Sequence, residues 1–327
     1  MLSIAVIGAG RIGRIHARNI AAHDGVTLAG VSDPHTPSAE SLAESTGSGT
    51  LTLDQAFAAD AVLIGSPTPT HAEFIERAAR AGKPVFCEKP IDLDVERVRA
   101  CLAVVREARI PLMVGFNRRF DPSFATLKRR LASGEVGPLE LLTIISRDPA
   151  PPPASYVASS GGLFRDMMIH DLDLARFLLG EDPVELFAAA SCLIDPALGE
   201  AGDVDTAVVT LKTASGKLCQ ISNSRRAVYG YDQRIEAHGA AGLLRAGNVT
   251  ATTVEVATGH GFTTDPALPF FLERYGAAYR AELDAFVDTI SSGTEPEPDG
   301  EDGLAALLLA DAATRSAQTG QPVDLTA

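Results

Sequence analysis

From residue 3 to residue 115 the sequence alternates between two textures, and this alternation restricts the fold more than any other feature. Short aliphatic or β-branched runs at 4–7, 26–31, 61–64, 84–87 and 111–114 are separated by stretches of helical period at 11–22, 37–46, 70–81 and 93–108. Runs that are short and continuously apolar read as strands buried on both faces, and helices between them impose a parallel sheet. The expectation is a doubly wound α/β domain over residues 1–118.

After Gly115 the pattern changes. A helix is predicted at 122–133, an extended run at 139–146 and a second helix at 166–179. Strand candidates then follow one another without helices between them, at 184–192, 206–212, 217–223, 233–238, 243–246 and 252–257, with a hairpin turn at 213–216. Two amphipathic stretches, 270–290 and 303–317, close the chain as helices. Residues 119–327 therefore read as an α+β domain with a mostly antiparallel open sheet, its last helix free to pack back on the first domain. The proline tract at 149–153 cannot donate ladder hydrogen bonds and reads either as a stiff ordered loop or as a linker.

The length, 327 residues, suffices for two ordinary cores. The 42 acidic against 28 basic residues leave a charge of -14, which repels phosphate backbones and anionic lipid, so neither nucleic acid nor membrane is expected as a partner. Residues 1–7 are apolar but lack a basic leader and are broken by Gly8, so they read as a first strand. Cys87, Cys101, Cys192 and Cys219 form no C-x-x-C pair, so no metal knuckle or disulfide framework is expected and a reduced, cytoplasmic location follows.

Gly8-Ala9-Gly10-Arg11-Ile12-Gly13 leaves the first strand and opens the first helix. The first glycine permits the tight turn, the second lets the backbone approach a pyrophosphate, and the third lets helix and strand pack closely. Asp33 ends the second strand, where a carboxylate can accept the adenine-ribose hydroxyls and would repel a 2′-phosphate. NAD is the expected cofactor. Ser66, Thr68 and His71 follow the third strand and Glu88-Lys89-Pro90 the fourth, so these residues can reach the same ligand. Thr70, with Glu73 three residues on, has the pattern of a helix N-cap.

Asp166, His170 and Asp173 recur at i, i+4 and i+7, which on a helix places them on one face, with Asp171 turned to solvent. A dehydrogenase acting on an alcohol must remove the hydroxyl proton as hydride leaves. Histidine has the pKa suited to that task, so His170 is the candidate base. Asp166 can orient the ring or bind a substrate hydroxyl, and Lys89 can steady the developing alkoxide.

These motifs resemble the Gfo/Idh/MocA oxidoreductases. The carriers are Gly8–Gly13, the run from Ala81 to Pro90 and the Asp166 to Asp173 segment. Gly115 to Pro122, Ser146 to Pro149 and Tyr229 to Arg234 resemble the inositol 2-dehydrogenase branch. The resemblance implies that Lys89, Asp166 and His170 form the catalytic group, and that a polyol lies between nicotinamide and the open sheet. It further implies that Tyr231 and Asp148 contact the substrate, with Tyr229 sharing the strand face of Tyr231. Homo-oligomers, dimers or tetramers, are implied as well. The expected reaction is NAD-dependent oxidation of myo-inositol to its 2-keto product. Alternatives are scyllo-inositol or an aldose such as glucose as substrate, or a sugar- or NAD-sensing regulator without turnover.

Overall fold

The computed structural model describes residues 1–326 and divides the chain into two compact units. Met1–Phe120 and Ala278–Leu307 form the first, Asp121–Ala277 and Leu308–Ala327 the second.

In the first unit, β1 (Leu2–Ile7), β2 (Val26–Ser32), β3 (Ala61–Ile64), β4 (Val85–Glu88) and β5 (Leu112–Gly115) form a wholly parallel sheet of order β2-β1-β3-β4-β5. Every residue of β3 is buried, as expected of a strand covered on both faces. The order reverses at β1, so the carboxyl ends of β1 and β3 flank the crevice in which such sheets bind ligands. The strand and helix bounds agree with the sequence pattern to within two residues. The helix Leu53–Ala56 was not anticipated, because four residues carry no readable period. Its capping box, Thr52 with Gln55, is the one local signal. The core runs from Ile4, Val6 and Leu63 through Phe86 to Leu283 and Phe286, so a segment remote in sequence completes it.

In the second unit, β6 (Leu139–Arg147), β7 (Pro183–Ser191), β8 (Thr206–Thr213), β9 (Leu218–Ser224), β10 (Asp232–Gly239) and β11 (Gly242–Ala246) form one open sheet. Its order is β11-β10-β6-β9-β8-β7-β14, where β14 is Val323–Asp324. Only β6 and β9 pair in parallel; the other neighbours are antiparallel. One sheet face is buried (Leu142, Ile144, Leu186, Val209, Leu211, Ile221), and the opposite face exposes Leu141, Phe187, Val208 and Leu218.

Two predicted elements differ. The run at 252–257 is a separate exposed hairpin, β12 (Glu255–Thr258) with β13 (Gly261–Thr264), whose residues carry no buried face to generate alternation. The helix expected at 270–290 is broken into Phe271–Arg274 and Gly276–Ser292, with buried Tyr275 at the break.

Candidate active site

The glycine loop has the geometry its spacing predicts. Gly8 has φ +107°, and a Cβ there would lie 2.6 Å from the backbone of Gly65 and Ser66. A Cβ on Gly13 would stand 1.9 Å from the Gly8 carbonyl oxygen, so helix and strand close only over glycine. At Gly10 the missing Cβ would meet nothing within 4 Å. That open cradle lies at the start of the helix Arg11–Ala21, which has no side-chain cap on its first N–H groups, the arrangement that receives a phosphate. Arg11 is exposed and Ile12 half-buried beside it. Asp33 accepts from the Ala9 amide at 2.6 Å and from the His35 amide at 2.8 Å. The carboxylate is thus anchored to the loop and keeps lone pairs for ribose hydroxyls. These residues fit a dinucleotide.

At the end of β3, Ser66 and Thr68 are half-buried, and His71 is buried. The His71 Nε2 lies 2.7 Å from the Ser66 carbonyl oxygen and Nδ1 lies 2.8 Å from that of Pro90. Both carbonyls only accept, so a neutral His71 donates to one of the two loops and a protonated His71 to both. Burial pushes its imidazole below the ordinary value, against the pull of the two carbonyls. Thr70 does not cap the following helix: a 3-10 turn, Thr68–Thr70, runs straight into it, and the Thr70 hydroxyl bonds the Pro67 carbonyl and Ser66 Oγ instead.

Glu88 and Lys89 follow from β4, and the Lys89–Pro90 bond is cis. Behind Lys89, Glu88 Oε1 lies 2.7 Å from His16 Nε2, and Glu282 Oε1 lies 3.9 Å from the same nitrogen. These three donor groups lie within 4.8 Å of one another, but the hydrogen bond to Glu88 engages the nitrogen that a metal ion would need. Glu282 is fully buried and its oxygens have no hydrogen-bond partner among the described residues. Burial, reinforced by the Glu88 charge, pushes its carboxyl well above the usual range.

In the second unit, Asp166 lies in a π-helical turn, Phe164–Met168, and His170 is the second residue of the helix Ile169–Leu179 that follows. Asp166 and His170 are half-buried, and Asp173, three residues after His170 on the same regular helix, is fully buried. Asp171, expected in solvent, is also fully buried; Asn223 Nδ2 on β9 donates to it at 2.9 Å, replacing water.

Asp166 Oδ2 accepts from Arg225 Nη2 at 3.2 Å, and Asp148 Oδ2 accepts from Arg225 Nη1 at 3.1 Å. The Tyr156 hydroxyl lies 3.4 Å from Asp166 Oδ1. The stretch Pro149–Pro153 forms no helix or strand and leads from Asp148 into the short turn that carries Tyr156. Burial works against the Arg225 charge, but the two carboxylates outweigh it and raise its pKa. Tyr231 is buried one residue before β10, edge-on to Phe270 and Tyr275, with ring centroids 6.3 and 5.9 Å away. Tyr229 does not share a strand face with it: the ring lies in the preceding turn, its hydroxyl donating to Asp232 at 2.7 Å and accepting from Arg147 at 2.9 Å. Sequence reasoning missed His16, Glu282, Tyr156 and Arg225, whose partners lie in distant segments; only Tyr156, just after the prolines, had a local signal.

Residues 2–116 match the oxidoreductase family described by its NAD-binding Rossmann fold, and residues 124–245 match the GFO/IDH/MocA C-terminal domain. The chain belongs to the Gfo/Idh/MocA oxidoreductase family. Within the family it is 54% identical over 314 residues to an inositol 2-dehydrogenase of Rhizobium meliloti (strain 1021), covering 95% of both chains. A crystal structure of a myo-inositol dehydrogenase from Corynebacterium glutamicum superposes with TM-score 0.96 at 49% identity, covering 99% of each chain. A scyllo-inositol dehydrogenase of Lactobacillus casei, solved with NAD(H) and scyllo-inositol, gives TM-score 0.92 at 30% identity, covering 100% of each chain. As a Gfo/Idh/MocA member with an NAD-binding domain, the chain is an oxidoreductase whose cofactor is NAD.

Proposed function

We propose that this enzyme oxidises a ring hydroxyl of a cyclic polyol, converting myo-inositol to its 2-keto product. The observation that carries the reading is the 54% identity, over 95% of both chains, to an inositol 2-dehydrogenase. Bound NAD supplies the hydride acceptor, and the protein supplies positioning and proton transfer. Gly8, Gly10, Arg11, Ile12 and Gly13 hold the pyrophosphate, Asp33 the adenine ribose, and Ser66, Thr68 and Glu88 shape the nicotinamide end, with His71 donating to a loop carbonyl at that edge.

His170 takes the hydroxyl proton, Asp166 orients the hydroxyl or the ring, and the Lys89 ammonium lowers the cost of the alkoxide that develops. Asp148 and Tyr231 serve the remaining hydroxyls. Scyllo-inositol is the second reading, favoured by the similarity to the Lactobacillus casei enzyme. Placement in the cytoplasm and assembly into dimers or tetramers belong to the same proposal. The apolar row Leu141, Leu218, Phe187 and Val208 on the open sheet is the surface that supports assembly.

A panel of inositol stereoisomers and aldoses with NAD, followed by absorbance of the reduced cofactor, tests the reading. Turnover highest with myo-inositol is expected. Preference for scyllo-inositol or glucose would overturn the substrate, and silence across the panel would favour a sensing protein.

A further inference from the structure

We infer that Arg225 is a positioning residue for polyol oxidation: its guanidinium holds Asp148 and Asp166 as one preset pair of carboxylates for neighbouring hydroxyls of the substrate. The inference rests on the reading above and adds a residue that the resemblance does not supply.

Arg225 directly follows β9, and its backbone N–H donates to the Asp205 carbonyl at 2.8 Å, which fixes the start of the side chain. The side chain is 5% exposed. Its two terminal nitrogens serve different carboxylates, Nη1 that of Asp148 and Nη2 that of Asp166, while Nε makes no hydrogen bond among the described residues. The fork is therefore committed to this bridge.

The two acids come from different elements. Asp148 directly follows β6, and its amide donates to the Ser224 carbonyl at 3.0 Å, one step beyond the β6–β9 ladder. Asp166 belongs to the π turn before the His170 helix. Such single π turns inside α-helices occur frequently at functional sites. The Arg225 bridge joins the end of the ladder to that turn, and thereby sets where Asp166 stands one turn from His170.

Each carboxylate commits one oxygen to Arg225, and the Tyr156 hydroxyl is 3.4 Å from the other oxygen of Asp166. Carboxylates only accept hydrogen bonds, and each has roughly four lone-pair sites. Two fixed acceptor groups suit adjacent hydroxyl donors, the pattern a polyol presents. Lysine could not substitute, because an ammonium is a point charge and lacks the planar fork that spans two partners.

The test uses the full-length enzyme with Arg225→Lys and Arg225→Ala. It measures kcat and KM for myo-inositol at saturating NAD, NADH affinity by fluorescence, and rescue of Arg225→Ala by added guanidinium. For Arg225→Lys, kcat/KM is expected to fall about tenfold to a hundredfold, with KM rising more than kcat falls, since the pair binds ground and transition states alike. NADH affinity should stay within about twofold, and guanidinium should restore part of the Arg225→Ala loss. An active wild type whose variants match its kcat/KM overturns this inference alone. Loss of NADH affinity in step with activity also overturns it, because the role would then be structural. A wild type inert toward every polyol overturns the functional reading and this inference with it.

Discussion

His16 Nε2 lies 2.7 Å from Glu88 Oε1, and this bond joins the helix of the glycine loop to the residue before Lys89. Lys89 is thus flanked by Glu88, which is bonded to His16, and by Pro90, whose carbonyl oxygen lies 2.8 Å from His71 Nδ1. His16→Ala would leave a buried carboxylate without its partner, at a cost of about 1–3 kcal/mol. Thermal unfolding should shift down by about 2–4 °C for each kcal/mol lost. NAD affinity should weaken as the triplet loosens. A variant with unchanged Tm and unchanged NAD affinity would show that the bond is incidental.

Glu282 faces His16 and Glu88 from the helix Gly276–Ser292, with Tyr279 one turn earlier on its own helix edge-on to His16. Its carboxyl, raised above the ordinary 4.5 by burial and then by the Glu88 charge, retains its proton in the folded protein at pH values where the unfolded chain has lost it. The stability from this group is therefore complete below the unfolded value and is lost as pH rises toward the raised one. Glu282→Gln keeps the shape and the neutral state. Its Tm advantage over the wild type should be small near about pH 5 and grow toward about pH 9 in differential scanning fluorimetry. A gap that is constant or shrinks with pH would contradict a protonated Glu282.

Asp33, the carboxylate proposed to select the adenine ribose, also accepts from the Ala9 amide of the glycine loop at 2.6 Å. Asp33→Ser removes the charge that repels a 2′-phosphate. The ratio of kcat/KM for NAD over NADP should fall by about tenfold or more, an effect near 1.4 kcal/mol. An unchanged ratio in a two-cofactor assay would place the discrimination elsewhere.

The parallel sheet was legible because strands buried on both faces leave continuous apolar runs, and the glycines because each answers a steric demand of a few neighbouring atoms. The hairpin β12–β13 was not, since an exposed ribbon has no core face to impose alternation. Asp171 was misplaced because the spacing along one helix does not show a partner from another element. Asn223 supplies from strand β9 the hydrogen bond that lets Asp171 be buried. Arg225 was invisible because its meaning depends on Asp148, 77 residues earlier in the chain, and Asp166, 59 residues earlier. A surface loop arginine and a bridge between two acids have the same sequence.

His170 is proposed to accept the substrate proton as hydride leaves. The single-turnover rate of NAD reduction by myo-inositol, compared between wild type and His170→Ala with NADH affinity measured alongside, tests it most directly. The rate in His170→Ala is expected to be lower by about a hundredfold or more at nearly unchanged NADH affinity. An unaltered rate, or equal loss of rate and affinity, would contradict it.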